Sequence, residues 1–463
     1  MTDCIIHIGM RKTGTSSIQK SIYRFSNDDY IYADIDGYTN HGSALHSLFS
    51  DNPGSIGFHI NKKQSKSNLK KYIQNTRDGL DTCIDSANGR NVIFSGESLS
   101  YTLELAGLVR MRDFFLDRFD QVKIIASIRP PSGYIVSNFV QRVKERANSI
   151  NIEHDYFEYK KNLSRFDEVF GRDNVHFWKF DPKNFPQGCA VRDFCQQMDI
   201  SLPDDKIVRV NESLSREAIS LLFSYRKMGK DLGSLSMRGP ERKQLVESVA
   251  GLGKSKFRFS PDLIKPVLEM NRIDIEWMED RLGESLYEEL GEHQFGDVRD
   301  ESDLLKPDPE IVSSLLSILG DSAPKGIKGE TPEEVALLVH ALRDDVSTSK
   351  MKPQKTAAGL NKGRIIRAEP EIVAGWVIGD DYENPVRVGL FVNGEEISQM
   401  LANKMRKGTK ERGIHPSGCC GFVFRFNSKN RLKVGDEIAI KSADAGVIIA
   451  GQVSTEIASN DRE

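Results

Sequence analysis

The first twenty-two residues constrain the fold most. Cys4-Ile5-Ile6-His7-Ile8 has the unbroken, β-branched texture of a strand buried on both faces. Gly9-Met10-Arg11-Lys12-Thr13-Gly14 is a loop bounded by glycines, and Thr15-Ser16-Ser17-Ile18-Gln19-Lys20-Ser21-Ile22 opens a helix. Such a loop and helix start aim unpaired backbone N–H groups at one point, with Lys12 and the hydroxyls of Thr15 and Ser16 beside them. That combination is suited to a phosphate or a sulfate.

The pattern continues to about Gly296. Ile5 to Ile8, Val92 to Phe94, Val122 to Ile128 and Val175 to Trp178 are strand-like, while Leu69, Tyr72, Ile73, Leu80, Cys83 and Ile84, and later Leu214, Ile219, Leu222 and Phe223, keep helical spacing. Buried strands separated by helices predict an α/β domain, a parallel sheet with helices on both faces, over residues 1–298. Residues 299–346 read as a helical extension, with segments at Ile311 to Leu319 and Pro332 to Leu342. Residues 347–363 lack an apolar period and read as a linker. Beyond Gly363 the texture changes to short alternating strands: Ile372 to Val377, Val386 to Val392 before Asn393-Gly394, Gly421 to Phe426, Val434 to Ile440 and Val447 to Val453. That spacing predicts an all-β sandwich over residues 364–463.

Composition excludes several classes. With 64 basic and 67 acidic residues the net charge is −3, which gives no global attraction for nucleic acid or an anionic membrane. The apolar runs are strand-sized, and Asp3 with a core-like strand stands where a leader's basic and apolar regions would be, so no membrane span and a cytoplasmic location are expected. Six scattered cysteines without a C-x-x-C pair are expected to be reduced. The histidines include no H-E-x-x-H, and no metal is implied.

Residue order narrows the anion site. A nucleotide-triphosphate loop reads G-x-x-x-x-G-K-[ST], with its lysine after the second glycine, whereas Lys12 precedes Gly14. Gly-Met-Arg-Lys-Thr-Gly-Thr-Ser-Ser instead resembles the 5′-phosphosulfate loop of sulfotransferases, P-loop-like enzymes that use 3′-phosphoadenosine 5′-phosphosulfate as donor. A second motif agrees: the strand Val122 to Ile128 ends in Arg129-Pro130-Pro131, and Ser137 follows inside the next helix, a spacing similar to the family's 3′-phosphate motif. An arginine there would lie at the C-terminal edge of the sheet, where its fork binds phosphate through two bonds. Between the two motifs, Val92-Ile93-Phe94-Ser95-Gly96-Glu97 resembles the strand-then-glutamate step of branches in which a glutamate is the general base. Gly375-Trp376, the Val-Asn-Gly turn and Gly421-Phe422-Val423-Phe424 resemble β-sandwich modules appended to bacterial glycan-modifying enzymes.

The resemblance implies a donor site made of Arg11, Lys12, Thr13, Gly14, Thr15, Ser16, Arg129 and Ser137, with Lys12 at the leaving oxygen and Glu97 taking the acceptor's proton. His41 and His46 compete with Glu97 as base. The acceptor implied is a hydroxyl of a carbohydrate or glycoconjugate. Two rival readings remain at this point: a nucleotide-dependent kinase of similar topology, and a non-catalytic glycan-binding protein. The cations Arg142, Lys144 and Arg146, just after Ser137, are placed to meet either the donor or an acidic acceptor.

Overall fold

The computed structural model describes residues 2–35, 37–61, 65–209, 213–237, 239–349, 362–379, 385–411, 415, 417–426, 431–433, 436–442 and 448–454. The chain divides into two compact units, Met1–Asp345 and Val346–Glu463. In order, the first carries β1 (Asp3–His7), α1 (Thr15–Ser21), β2 (Tyr30–Tyr32), α2 (Gly42–Phe49), α3 (Gly57–Asn61), α4 (Lys66–Asp85), β3 (Asn91–Ser95), α5 (Leu99–Thr102), α6 (Leu105–Leu116), β4 (Gln121–Ile128), α7 (Pro131–Glu145) and α8 (Tyr159–Phe170). It continues with β5 (Val175–Lys179), α9 (Ala190–Gln197), α10 (Arg216–Met228), α11 (Gly239–Val249), α12 (Pro261–Met270), α13 (Arg272–Leu282), α14 (Glu301–Leu305), α15 (Pro309–Leu319) and α16 (Pro332–Ser349). Among the described residues, no helix is long and apolar enough to cross a membrane.

The five strands form one parallel sheet in the order β2-β3-β1-β4-β5. Successive residues of its inner strands enter different cores. Cys4, Ile6, Val92, Phe94, Ile124 and Ala126 pack into one, while Ile5, Ile93 and Ile125 pack into the other, under α1 and α9. A strand buried on both faces has no polar side to display, which is why these runs read as continuous rather than alternating. Burial of this kind supplies about 25 cal/mol per Å² of apolar surface.

Strand β2 gave no sequence signal. Three residues are too few to show a period, and pairing Tyr30, Ile31 and Tyr32 against Asn91, Val92 and Ile93 is what makes them a strand. Helix α10 is capped by Ser215, whose hydroxyl accepts from Ala218 N at 3.0 Å.

The helices from Glu301 onward, expected as an extension, pack into the first unit. Arg216 donates to Asp303 O at 3.1 Å, and Lys227 pairs with Glu301. The helix α16 runs on to Ser349, so the expected linker begins later than 347, and residues 350–361 lie outside the described residues.

The second unit contains β6 (Lys362–Glu369), β7 (Ile372–Ile378), β8 (Arg387–Val392), β9 (Glu395–Leu401), β10 (Lys404–Met405), α17 (Lys407–Glu411), β11 (Cys419–Arg425), β12 (Glu437–Ser442) and β13 (Ile448–Ser454). Two antiparallel sheets, β10-β11-β7-β6 and β13-β12-β8-β9, enclose one core. Val373, Val377, Phe422 and Phe424 from one sheet meet Val388, Leu390, Ile438 and Ile440 from the other. Asn393 and Gly394 (φ 51° and 86°) turn β8 into β9, the backbone that an Asn-Gly hairpin favours. Strands β6, β9 and β10 were not anticipated. β9 is exposed along nearly its whole length and has no apolar alternation to read. Val434 and Val447, named as strand starts, lie outside the described residues.

Candidate active site

The anion loop leaves the C-terminal end of β1, between β3 and β4. Ligands collect at this edge of a parallel sheet because the chain departs in opposite directions on either side. Register makes the ends of β1 and β3 level, His7 pairing with Ser95, whereas β4, paired to His7 at Ile125, runs on to Ile128 and carries Arg129 out over the loop. Gly96 N then donates to His7 O at 2.9 Å and Ile8 N to Ile125 O at 3.1 Å. The residues that follow each strand, Arg11 to Ser16, Glu97 and Arg129, are therefore delivered to one place.

A cavity of about 360 Å³ lies there, bounded by Arg11, Lys12, Gly14, Thr15, Ser16, Ser17, Glu97, Arg129 and Ser137, and closed by Val140, Gln141, Lys144 and Ser213. Thus Arg11, Lys12, Gly14, Thr15, Ser16, Glu97, Arg129 and Ser137, singled out from three separate stretches of sequence, share one cavity. Thr13 is placed differently. It is buried, and its hydroxyl donates to Met10 O at 2.6 Å, so it braces the loop from beneath.

Loop conformation is specific to these residues. Gly14 caps α1 at φ 80°, and a Cβ on it would approach the Ala190 Cβ to 2.9 Å, so only glycine fits without displacement. Lys12 itself sits at φ 69°, a left-handed conformation uncommon outside glycine. It is held at both ends: Arg129 Nη1 donates to Lys12 O at 2.6 Å, and Lys12 Nζ donates to Gln141 Oε1 at 3.2 Å. Arg129 thereby fixes the loop as well as facing the cavity.

The helix that carries Ser137 starts where the sequence requires it. Pro131 occupies its first turn, where a missing N–H costs nothing. The Glu288 carboxylate covers that end, accepting from Gly133 N at 2.9 Å and from the Ser132 hydroxyl. Ser137, Gln141 and Lys144 are spaced at i, i+4 and i+7 and so share the cavity face. Gln141 was missed from the sequence, although that spacing from Ser137 is the signal that would have found it.

Electrostatics in the cavity favour an anion. Burial pushes the Lys12 ammonium down to about 8, with Lys144, Arg129 and Arg11 pushing the same way and Glu97 opposing. Burial also lowers Arg129, partly offset by Glu288. Burial raises Glu97 above the ordinary carboxylate value despite Arg11, Lys12 and the Thr15 hydroxyl, which lower it. Its Oε1 lies 3.8 Å from Arg11 Nε. The cations repel one another across an incompletely filled space, and Glu97, the acidic group among the described residues of its wall, has its proton affinity raised by burial.

No protein-family model matches the chain. An uncharacterised protein of Archaeoglobus fulgidus is 26% identical over 137 residues, 29% of this chain and 37% of that relative's length. Among solved structures, a sulfotransferase from Alicyclobacillus acidocaldarius is 17% identical, covers 52% of this chain and 99% of its own, and superposes with a TM-score of 0.27. The sulfotransferase domain from the curacin biosynthetic pathway is 10% identical, covers 59% of this chain and 98% of its own, and has a TM-score of 0.32. The fold follows from the strand order β2-β3-β1-β4-β5, and the site from the cavity at its C-terminal edge.

His41 does not reach the cavity. It is fully buried at the start of α2, its Nδ1 accepts from Ser95 N at 3.1 Å, and burial holds it near 4. The hydrogen bond to the end of β3 turned a loop histidine inward. His46 lies buried within α2, with Ser55 Oγ 3.5 Å from its Nε2. His7 lies inside β1, where Nδ1 meets Ser95 Oγ at 3.0 Å and burial likewise holds it near 4. None of the three is among the residues that line the cavity, which leaves Glu97 as the base candidate there.

Proposed function

We propose that the chain is a sulfotransferase that moves a sulfuryl group from 3′-phosphoadenosine 5′-phosphosulfate to a hydroxyl of a carbohydrate or glycoconjugate by in-line displacement in the cytoplasm. The observation that carries this reading is the meeting of Lys12, Glu97, Arg129 and Ser137 in one cavity from the ends of three adjacent strands. The cavity's chemistry fits such a donor: guanidinium and hydroxyl at the α7 side for a 3′-phosphate, and the loop with Thr15 and Ser16 for a 5′-phosphate.

The donor would supply an activated sulfur and a good leaving oxygen. The chain supplies the rest. Lys12 neutralises charge at the leaving oxygen, and its conformation is fixed beforehand by Arg129 and Gln141, so little reorganisation accompanies the reaction. Glu97 accepts the proton of the acceptor hydroxyl as the new oxygen–sulfur bond forms, and its raised proton affinity is the tuning a general base needs. A kinase reading has no use for the Arg129–Ser137 pair and would want the lysine after the second glycine.

Calorimetric titration with adenosine 3′,5′-bisphosphate and, separately, with ATP and magnesium tests the assignment. Selective binding of the bisphosphate, weakened in Arg129→Ala far more than any binding of ADP, is the expected result. Preference for ATP, or equal weakening of both nucleotides, rejects it.

A further inference from the structure

The helix α7 has a second lined face. Ser137, Gln141 and Lys144 border the cavity described above, whereas Arg142, Glu145 and Arg146 turn toward another of about 890 Å³, completed by Ser236, Met237 and the start of α11 with Arg242. The two are joined by a chain of polar contacts. Lys12 Nζ donates to Gln141 Oε1, and Gln141 Nε2 donates to Glu145 Oε1 at 3.0 Å. The Glu145 charge also acts on Arg11 and Tyr101, which face Glu97. The second cavity therefore adjoins the first across the Lys12–Gln141–Glu145 contacts on α7.

Its charge is positive on balance: Glu145, whose carboxylate accepts from the Gln141 amide, stands against three arginines in the same wall. Arg142 is neutralised by the buried Asp155 through two bonds of 2.7 Å. Arg146 and Arg242, by contrast, form no ion pair among the described residues. Between the two walls lies a third guanidinium, Arg226, with no exposed surface at all. Its hydrogen bonds go to carbonyl oxygens, those of Ser234 and, at 3.4 Å, Lys144, its guanidinium lies 5.8 Å from the Tyr225 ring centroid, and its Nε has no partner. Capping the last carbonyls of α7 accounts for part of its placement. A buried cation without a carboxylate is nevertheless costly, and Arg242 and Arg146 add to that cost by lowering its proton affinity. Arg146 and Arg242 in the wall and Arg226 behind it outnumber Glu145, which leaves a net positive field in a concave space, where such fields concentrate anions.

We propose that this second cavity is the acceptor subsite and that it takes a carbohydrate already bearing an anionic group, a carboxylate, sulfate or phosphate, held by Arg146 and Arg242. The inference rests on the sulfotransferase reading of the neighbouring cavity and adds the class of acceptor. It also divides the basic cluster after Ser137: Lys144 serves the donor, and Arg146 serves the acceptor.

The test uses the full chain saturated with adenosine 3′,5′-bisphosphate, titrated with tetragalacturonic acid and with its methyl ester, which keeps the sugar rings and hydroxyls but lacks the charge. The acid should bind at least tenfold more tightly than the ester, and the preference should shrink with added salt. In an Arg146→Ala/Arg242→Ala double variant the preference should vanish while the bisphosphate affinity stays as in the parent. Both residues are at the surface, and an unchanged unfolding temperature checks that the variant folds. Equal binding of acid and ester, binding of neither, or a double variant that still prefers the acid overturns the proposal. Because bisphosphate binding is measured first and separately, its loss would indict the donor reading instead.

Discussion

Replacing Lys12 by methionine should stabilise the ligand-free protein while weakening its hold on anions. The ammonium is pushed from an ordinary 10.5 to about 8, first by burial and then by Lys144, Arg129 and Arg11, with Glu97 opposing. That displacement corresponds to about 3 kcal/mol carried by the folded state while Lys12 is charged. Methionine keeps the apolar stem and loses the hydrogen bond to Gln141, worth about 1 kcal/mol. The expected net gain is about 1–2 kcal/mol, or a rise of about 2–6 °C in the unfolding temperature. Since the folded value lies below the unfolded one, the penalty is complete below pH 8 and is relieved as pH rises from about 8 to 10.5. Scanning calorimetry at pH 7 and pH 10.5 should therefore show a gap between variant and parent that closes at the higher pH. The same substitution should weaken adenosine 3′,5′-bisphosphate by about tenfold or more. A variant less stable than the parent at pH 7, or a gap of equal size at both pH values, would refute the reasoning.

Two further outcomes follow from the geometry. Glu97→Gln should lower turnover by about 10²- to 10⁴-fold with bisphosphate affinity retained; in the parent, kcat/KM should fall on acidification through a value above the ordinary carboxylate 4.5, because burial raises that group. A profile flat down to pH 4.5 would remove Glu97 as the base. Asp155→Ala leaves Arg142 and Asn138 without their shared buried acceptor and should cost about 3–5 kcal/mol, read as a lower denaturation midpoint. A loss below about 1 kcal/mol would mean that water reaches the pair.

The sequence by itself determined the layered α/β architecture, because strands buried on both faces leave an unmistakable apolar run, as at Ile5 to Ile8 and Val122 to Ile128. It also identified most of the cavity wall, since glycine placement and a strand-ending arginine are local backbone demands that show in residue order. The short edge strand Tyr30–Tyr32 and the exposed β9 were invisible for the complementary reason: their state depends on a partner strand and not on their own period. Tertiary structure alone decided three things about the site. It carried His41 into the interior by a bond to Ser95 N, placed Gln141 where it holds Lys12, and separated Lys144 from Arg146 across two faces of one helix. Each depends on which neighbour a side chain meets across the sheet or helix, and distance along the chain carries no record of that meeting.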